Sequence, residues 1–387
     1  MQTIPFHISD IDRNDISACC SVLSQNHLDG DGPETRKVQC QLRALLDIPH
    51  VLLTPSCTHA MELALMSVGI GTGDEVILPS FTFSSTANAI VLQGARPVFA
   101  EIDRDTLMID PSDIERRITI RTKAIMPVHY AGVSCPMDEI MEIANHHRLH
   151  VIEDAAQGVG AKYRDRFLGT IGDIGCYSFH GTKIVTCGEG GAFLTNNDEI
   201  AKKAEIIREK GTNRSAFFRG EVDKYTWVDK GSSYVLADIL AAILGEQLKK
   251  MPALIAARKR IFDTYMEGLR DLAWSGRISL PTVPDYSESN YHIFYILTES
   301  ENDRNLLLEA LRNQGIGCSF HYIPLHSSPF GMKFGYEASS LPVTEQVSRT
   351  LIRFPIYPRL DVTHVERVID AVTVFFGAGI RVSKCAS

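Results

Sequence analysis

No run of about 18 apolar residues, the length a helix needs to cross a bilayer, occurs anywhere in this 387-residue chain. The opening MQTIPFHISDIDRND lacks a basic flank followed by an apolar core, so neither a membrane span nor a secretory leader is expected. Also missing is any long basic run or basic-aromatic alternation. Lys+Arg of 39 against Asp+Glu of 47 leave a formal charge of −8, and nucleic acid is not an expected partner. Paired CxxC spacing is absent. The nine cysteines (Cys19, Cys20, Cys40, Cys57, Cys135, Cys176, Cys187, Cys318, Cys385) are odd in number and scattered. That pattern disfavours a disulfide framework or a structural metal site and fits reduced thiols in a cytoplasm. There is no internal repeat and no low-complexity tract. The length predicts a large domain over residues 1–250 and a smaller one over 251–387.

What is present, from about residue 50 to 196, is an alternation of short apolar runs with longer helical patterns. VLLTP precedes THAMELALMSVG, EVILPS precedes FSSTANAIVLQG, and KAIMPVHY precedes MDEIMEIANHHR, with PVFAEI, HVIEDAA, IGCYSFH and GAFLTN as further runs. Strand-then-helix repetition predicts an α/β fold with a mainly parallel sheet covered by helices on both faces. Ligands of such sheets sit at the carboxyl ends of the strands. The segment 207–234 lacks a clear period and reads as a long ordered loop. ADILAAILGEQLKKMPALIAARKRIFDTYMEGL reads as a long helix, and NYHIFYILTE, NLLLEALRNQGI, SFHYIPL and HVERVIDAVTVFF as a smaller α+β unit.

Several runs end in chemistry-bearing residues. Ser56-Cys57-Thr58 stands between a strand and a helix, where backbone N–H groups favour an anion such as phosphate, or where a hydroxyl simply caps the helix. Asp154 ends HVIED; a buried acid there needs a cation, whether a protonated pyridine nitrogen or a structural arginine. Phe83 offers a flat face for a ring, or core packing. Lys183, at the end of GCYSFHGTK and before a glycine cluster, is either a solvated loop residue or an amine that forms a Schiff base with an aldehyde cofactor. Pyridoxal phosphate needs these four parts together: an amine, an acid, a stacking face and a phosphate cradle.

TPSCTHAMELAL, PSFTFSSTANAI, PVHYAG, VIEDAAQGVGA, GCYSFHGTK and GEGGA, in this order, resemble the pyridoxal-phosphate-dependent nucleotide-sugar aminotransferases of the DegT/StrS type, on the aspartate-aminotransferase fold (fold type I). The resemblance covers nearly the whole chain. It implies that Lys183 holds the cofactor covalently, Asp154 pairs with the pyridine nitrogen, Gln157 sits near the ring hydroxyl and Phe83 stacks on the ring. It further implies that Ser178 and the backbone around Cys57 and Thr58 hold the phosphate. Ser233 falls where many relatives carry an asparagine that reaches the phosphate of the neighbouring subunit. Two departures stand out: Ile184 replaces the usual asparagine after the lysine, and Gly181 is unusual before the threonine.

The resemblance implies pyridoxal 5′-phosphate as cofactor, L-glutamate as amino donor, a nucleotide-linked 4-keto-6-deoxy sugar as acceptor with amination at C4, and at least a homodimer in the cytoplasm. Arg214, Arg219, Lys224 and Lys230 are candidate diphosphate contacts. His321 and His326, in FHYIPLH, are candidates to line the sugar pocket. A 3-aminotransferase, a 4-aminotransferase of equatorial outcome and a non-catalytic cofactor-binding sensor are the alternatives. A sugar dehydratase fits less well, because such relatives replace the lysine.

Overall fold

A computed structural model describes residues 3–26 and 28–383; Cys385 lies outside them. Seven strands form the main sheet: β1 (His50–Thr54), β2 (Glu75–Pro79), β3 (Arg96–Ala100), β4 (Thr122–Ile125), β5 (His150–Asp154), β6 (Ile174–Ser178) and β7 (Gly191–Thr195). Their order is β1-β7-β6-β5-β4-β2-β3. Strand β7 runs antiparallel to both neighbours, and the other pairs are parallel. The apolar runs of the sequence thus all become strands. Every residue of β2, β6 and β7 is buried, as expected of strands covered on both faces.

Two apolar clusters lie on the sheet. One gathers Ile77, Ile125, Val151, Tyr177 and Leu194; the other gathers Val76, Leu78, Ile152, Cys176 and Phe193. The alternation along each strand sends neighbouring residues to opposite clusters. A third cluster is built on a smaller antiparallel sheet, β8 (Ile278–Ser279), β9 (Phe294–Thr298) and β10 (Leu351–Phe354), in the order β8-β9-β10.

The long helix expected after residue 236 runs from Asp238 to Gly268, with Pro252 inside it. It passes through position 250–251. Its first part gives Ala241, Leu244, Leu248 and Leu254 to the main cluster, and its second part gives Ile261, Phe262 and Tyr265 to the third. Two expectations differ from the fold. SFHYIPL is not a strand: it makes one isolated bridge, Ser319 to Arg353, and Tyr322 then turns into the left-handed region with φ 47, which no strand accommodates. The segment expected as loop at 207–234 holds a short helix, Arg214–Phe218. Among the described residues eight cysteines are unpaired thiols, and no helix is long and apolar enough to cross a membrane.

Candidate active site

Three strand ends meet along one edge of the sheet. Asp154, the last residue of β5, pairs with Cys176 on β6; Ser178, the last of β6, pairs with Gly191, which on its other side pairs with Thr54 at the end of β1. The helix Cys57–Ser67 starts directly over this edge. A Cβ on Gly191 would lie 2.4 Å from the Ser56 carbonyl carbon and 2.5 Å from the Cys57 nitrogen, so only glycine lets strand and helix end approach this closely. Ser56 caps the helix by accepting the His59 N–H at 3.2 Å. The N–H groups of Cys57 and Thr58 meet no protein acceptor among the described residues, which leaves the positive end of the helix ready for an anion. Ser178 Oγ, whose one bond among the described residues is from the His180 N–H at 3.4 Å, and Thr58 Oγ1, which donates to Ser85 Oγ at 2.8 Å, complete a set that fits a phosphate.

Asp154 is 4% exposed. Its carboxylate accepts the Thr86 hydroxyl at 2.7 Å and the Ala156 N–H at 3.1 Å. No lysine or arginine among the described residues lies within ion-pair distance of it, so the structural-arginine alternative drops out. A buried carboxylate without a cation is costly, and a protonated ring nitrogen fits that need. Gln157, three residues on, accepts the Ala131 N–H at 2.7 Å and donates to the Tyr322 hydroxyl at 3.0 Å. Ala131 itself sits in the left-handed region with φ 58, backbone strain of the kind found at functional turns. Phe83 precedes the helix Ser84–Leu92, is 60% exposed, and has its ring centroid 6.4 Å from that of Tyr322. Its face is open to a ligand.

Beyond β6 the chain folds back as a tight loop. Phe179 N–H bonds to Gly190 O at 2.8 Å, Gly181 N–H to Gly188 O at 2.8 Å and Lys183 N–H to His180 O at 2.9 Å. Ile184 and Val185 are buried in the main cluster, so the residue in place of asparagine anchors the loop by packing. Lys183 makes no hydrogen bond or ion pair through its side chain among the described residues. Burial lowers its pKa below the ordinary lysine value and Arg353 adds to this, while Cys57 and Asp154 oppose it. A lysine desolvated in this way carries more of the free amine, the form that attacks a carbonyl.

His321 belongs to the same crevice. Its Nδ1 lies 2.8 Å from the Tyr130 hydroxyl and its ring stacks on Tyr322 at 3.6 Å. Burial, then Arg353 and Lys183, push its pKa well below the usual value, so it is neutral. His326 is placed elsewhere: it is 0% exposed, with Nδ1 2.7 Å from Ser80 Oγ and Nε2 3.6 Å from Glu345. Within this chain it has no surface to offer a sugar. Ser233 forms a bridge with Glu209. Arg214 pairs with Glu209 at 3.6 Å and lies over the Phe218 ring. Arg219 is held by Glu205 and Glu221 at 2.8 and 2.7 Å. Lys224 and Lys230 are exposed and make no ion pair among the described residues. Thr86, Tyr130, Tyr322 and Arg353 escaped the sequence reading. Tyr130 lies within the strand-end motif HYAG and Tyr322 within FHYIPLH; Arg353 has no local signal.

Residues 9–373 match the model of the DegT/DnrJ/EryC1/StrS aminotransferase family. The uncharacterized protein MJ1066 of Methanocaldococcus jannaschii is 40% identical over 348 residues, 88% of this chain and 89% of the relative. Spr1654 from Streptococcus pneumoniae, in its apo form, superposes with a TM-score of 0.91 at 27% identity, covering 99% of this chain and 100% of that one; PMP and PLP forms of it are also solved. DesV of S. venezuelae, in complex with a ketimine intermediate, gives a TM-score of 0.85 at 34% identity, covering 92% and 93%.

Proposed function

The chain belongs to the DegT/DnrJ/EryC1/StrS aminotransferase family, and we propose that it moves an amino group from L-glutamate to C4 of dTDP-4-keto-6-deoxy-D-glucose. The product is dTDP-4-amino-4,6-dideoxy-D-galactose, for a surface polysaccharide or glycoconjugate. Transamination and the use of pyridoxal phosphate come with the family. The sugar and the position aminated rest on EIIREKGTNRSAFFRGEVDKYTWVDKGSSY and FHYIPLH, which resemble dTDP-4-amino-4,6-dideoxygalactose transaminase. One observation supports placing the chemistry on these residues: a buried carboxylate and a desolvated lysine share one strand-end crevice without pairing to each other.

Bound pyridoxal phosphate supplies a carbonyl carbon for amine exchange and a ring that accepts electrons. Asp154, oriented by Thr86 and Ala156, keeps the ring nitrogen protonated. The Cys57 and Thr58 N–H groups and the Ser178 hydroxyl would hold the phosphate, Phe83 would offer its face to the ring, and Gln157 would serve the ring hydroxyl. Lys183 fixes the cofactor at rest. Once freed, its amine takes the proton from Cα of glutamate and later delivers one to C4 of the sugar. Because that amine is tethered on one side, the proton reaches one face of C4.

His321 faces the sugar, whereas the enclosed His326 shapes the loop that carries it. Arg214, Arg219, Lys224 and Lys230 contact the diphosphate, and Ser233 reaches the phosphate of a second copy, so the working unit is at least a homodimer in the cytoplasm. Proton NMR of the product tests the reading. Small H3–H4 and H4–H5 couplings are expected for an axial amine at C4. Large couplings would overturn the axial outcome and an amine at C3 the position aminated, and either would leave the aminotransferase in place.

A further inference from the structure

Residues 3–15 make a set of contacts that no step above uses. The Ile4 N–H bonds to Gly315 O, and the Ile4 carbonyl takes the Gly317 N–H, both at 2.8 Å. Phe6 lies 5.0 Å from the Arg353 guanidinium, and Asp12 and Asp15 hold Lys250 at 2.9 and 2.7 Å. Between these anchors His7 Nε2 lies 2.9 Å from the Gly181 carbonyl oxygen, and the Ser9 hydroxyl donates to the same oxygen at 2.7 Å. That carbonyl is two residues before Lys183. Burial above all lowers the pKa of His7, so the donor is a neutral ring with its hydrogen on Nε2.

The bonds fall on a carbonyl that accepts no backbone N–H among the described residues, whereas the N–H of the same residue goes to Gly188 O at 2.8 Å. Gly181 has no side chain, and a Cβ there would meet only the Gly188 carbonyl, at 3.9 Å. Downstream the loop is fixed by the buried Ile184 and Val185; upstream it is fixed by the bridge of His180 to Gly188. Two donors on one carbonyl oxygen set the plane of the peptide that leads into Thr182 and Lys183, and so the direction in which the lysine enters the crevice. We propose that His7 and Ser9 are positioning residues for Lys183, aiming its amine through the Gly181 carbonyl. The proposal rests on the reading above only in taking Lys183 as the working lysine. It assigns a role to a segment distant in sequence from the cofactor motifs, and it explains how a glycine before the threonine is compatible with a well-aimed lysine.

The test uses the full-length, cofactor-loaded protein with His7→Phe/Ser9→Ala, which keeps bulk and removes both donors, and with His7→Gln, whose amide reaches to about the same place as Nε2. A misplacement of about 1 Å at a reacting group costs on the order of 100-fold in rate, so the double variant is expected to lose about 10- to 100-fold in kcat with the donor KM within about twofold. The pH midpoint of the absorption band of the Lys183-linked cofactor is expected to move. Amide exchange of residues 179–187 in the cofactor-free protein is expected to speed up while that of β5 stays unchanged. His7→Gln should restore most of the rate. Wild-type kcat and an unmoved midpoint in the double variant would overturn the proposal, as would a loss that His7→Gln shares in full. A wild-type protein with no cofactor on Lys183 would instead overturn the reading on which it rests.

Discussion

The crevice around Lys183 and the loop at 211–231 are both rich in polar and aromatic residues, yet the first is fixed by buried bonds and the second stands largely open to solvent. At the crevice, Asp154 and Gln157 are buried and their hydrogen-bonding atoms are fixed by Thr86, Ala156, Ala131 and Tyr322. What stays unsatisfied there among the described residues is specific: two helix N–H groups, one carboxylate without a cation, one amine without an acid. In the loop, Phe218, Tyr225 and Trp227 are 67%, 55% and 78% exposed, and Arg219 already has two acids. Preorganisation by buried bonds marks the chemistry. The aromatic side chains of the loop are open to solvent instead.

The largest effect that could break this contrast is at Lys183. Lys183→Ala is expected to leave the fold intact, because the core under the loop is carried by Ile184 and Val185, and to lower turnover by at least about 100-fold, the lower end of what a positioned acid–base group contributes. Borohydride should fix the cofactor to Lys183 in the wild type, and peptide mapping of the adduct to another lysine would end the assignment. The same residue gives a pH signature in the cofactor-free protein. Burial lowers the pKa of Lys183 in the folded state, so between that lowered value and the ordinary lysine value the unfolded chain holds a proton that the folded chain does not. Stability then rises with pH through that window. In melting curves the wild type should be handicapped relative to Lys183→Ala below the window, where the buried amine must carry its charge, and should gain on the variant as pH rises through it; a difference that does not change with pH would show that the amine is not desolvated.

A smaller effect sharpens the comparison at Asp154. Asp154→Asn keeps the size and the bond from Thr86 but removes the charge, and is expected to slow both half-reactions about tenfold or more while cofactor stays bound. Stopped-flow absorbance of each half-reaction decides it: a change within about threefold, less than about 1 kcal/mol of barrier, would leave Asp154 without this role.

How far these two regions could be read from sequence differs for the same physical reason. The seven strands were legible because strands buried on both faces are short apolar runs, and Lys183, Asp154, Ser178, Cys57 and Thr58 stood out because each ends such a run or follows it within five residues. Thr86 was not: its hydroxyl meets Asp154 from the helix Ser84–Leu92, a contact 68 residues apart in sequence. Depth was equally hidden. His321 and His326 share one motif, yet one opens on the crevice and the other is enclosed, because the left-handed turn at Tyr322 breaks the extended path that FHYIPLH suggests. Nor did the identity of Ile184 reveal that the residue after the lysine is buried in the main cluster.

The smallest expected effect tests the loop. Arg219 is bound by Glu205 and Glu221, but its side chain is 47% exposed, and exposed pairs contribute about 0–1 kcal/mol once solvent screening and side-chain entropy are counted. Arg219→Ala is therefore expected to change the melting temperature little, and the half-reaction with glutamate not at all, since the donor carries no diphosphate. If the guanidinium also meets the nucleotide, it must leave or share its acids on binding, and the variant should raise KM for the nucleotide sugar by a few fold, increasingly so at low ionic strength, where screening of exposed charges is weakest. Should the donor half-reaction slow together with the sugar half-reaction, the loop would be acting on the crevice itself, and the division drawn between a site fixed by buried bonds and an open surface would fail at this residue.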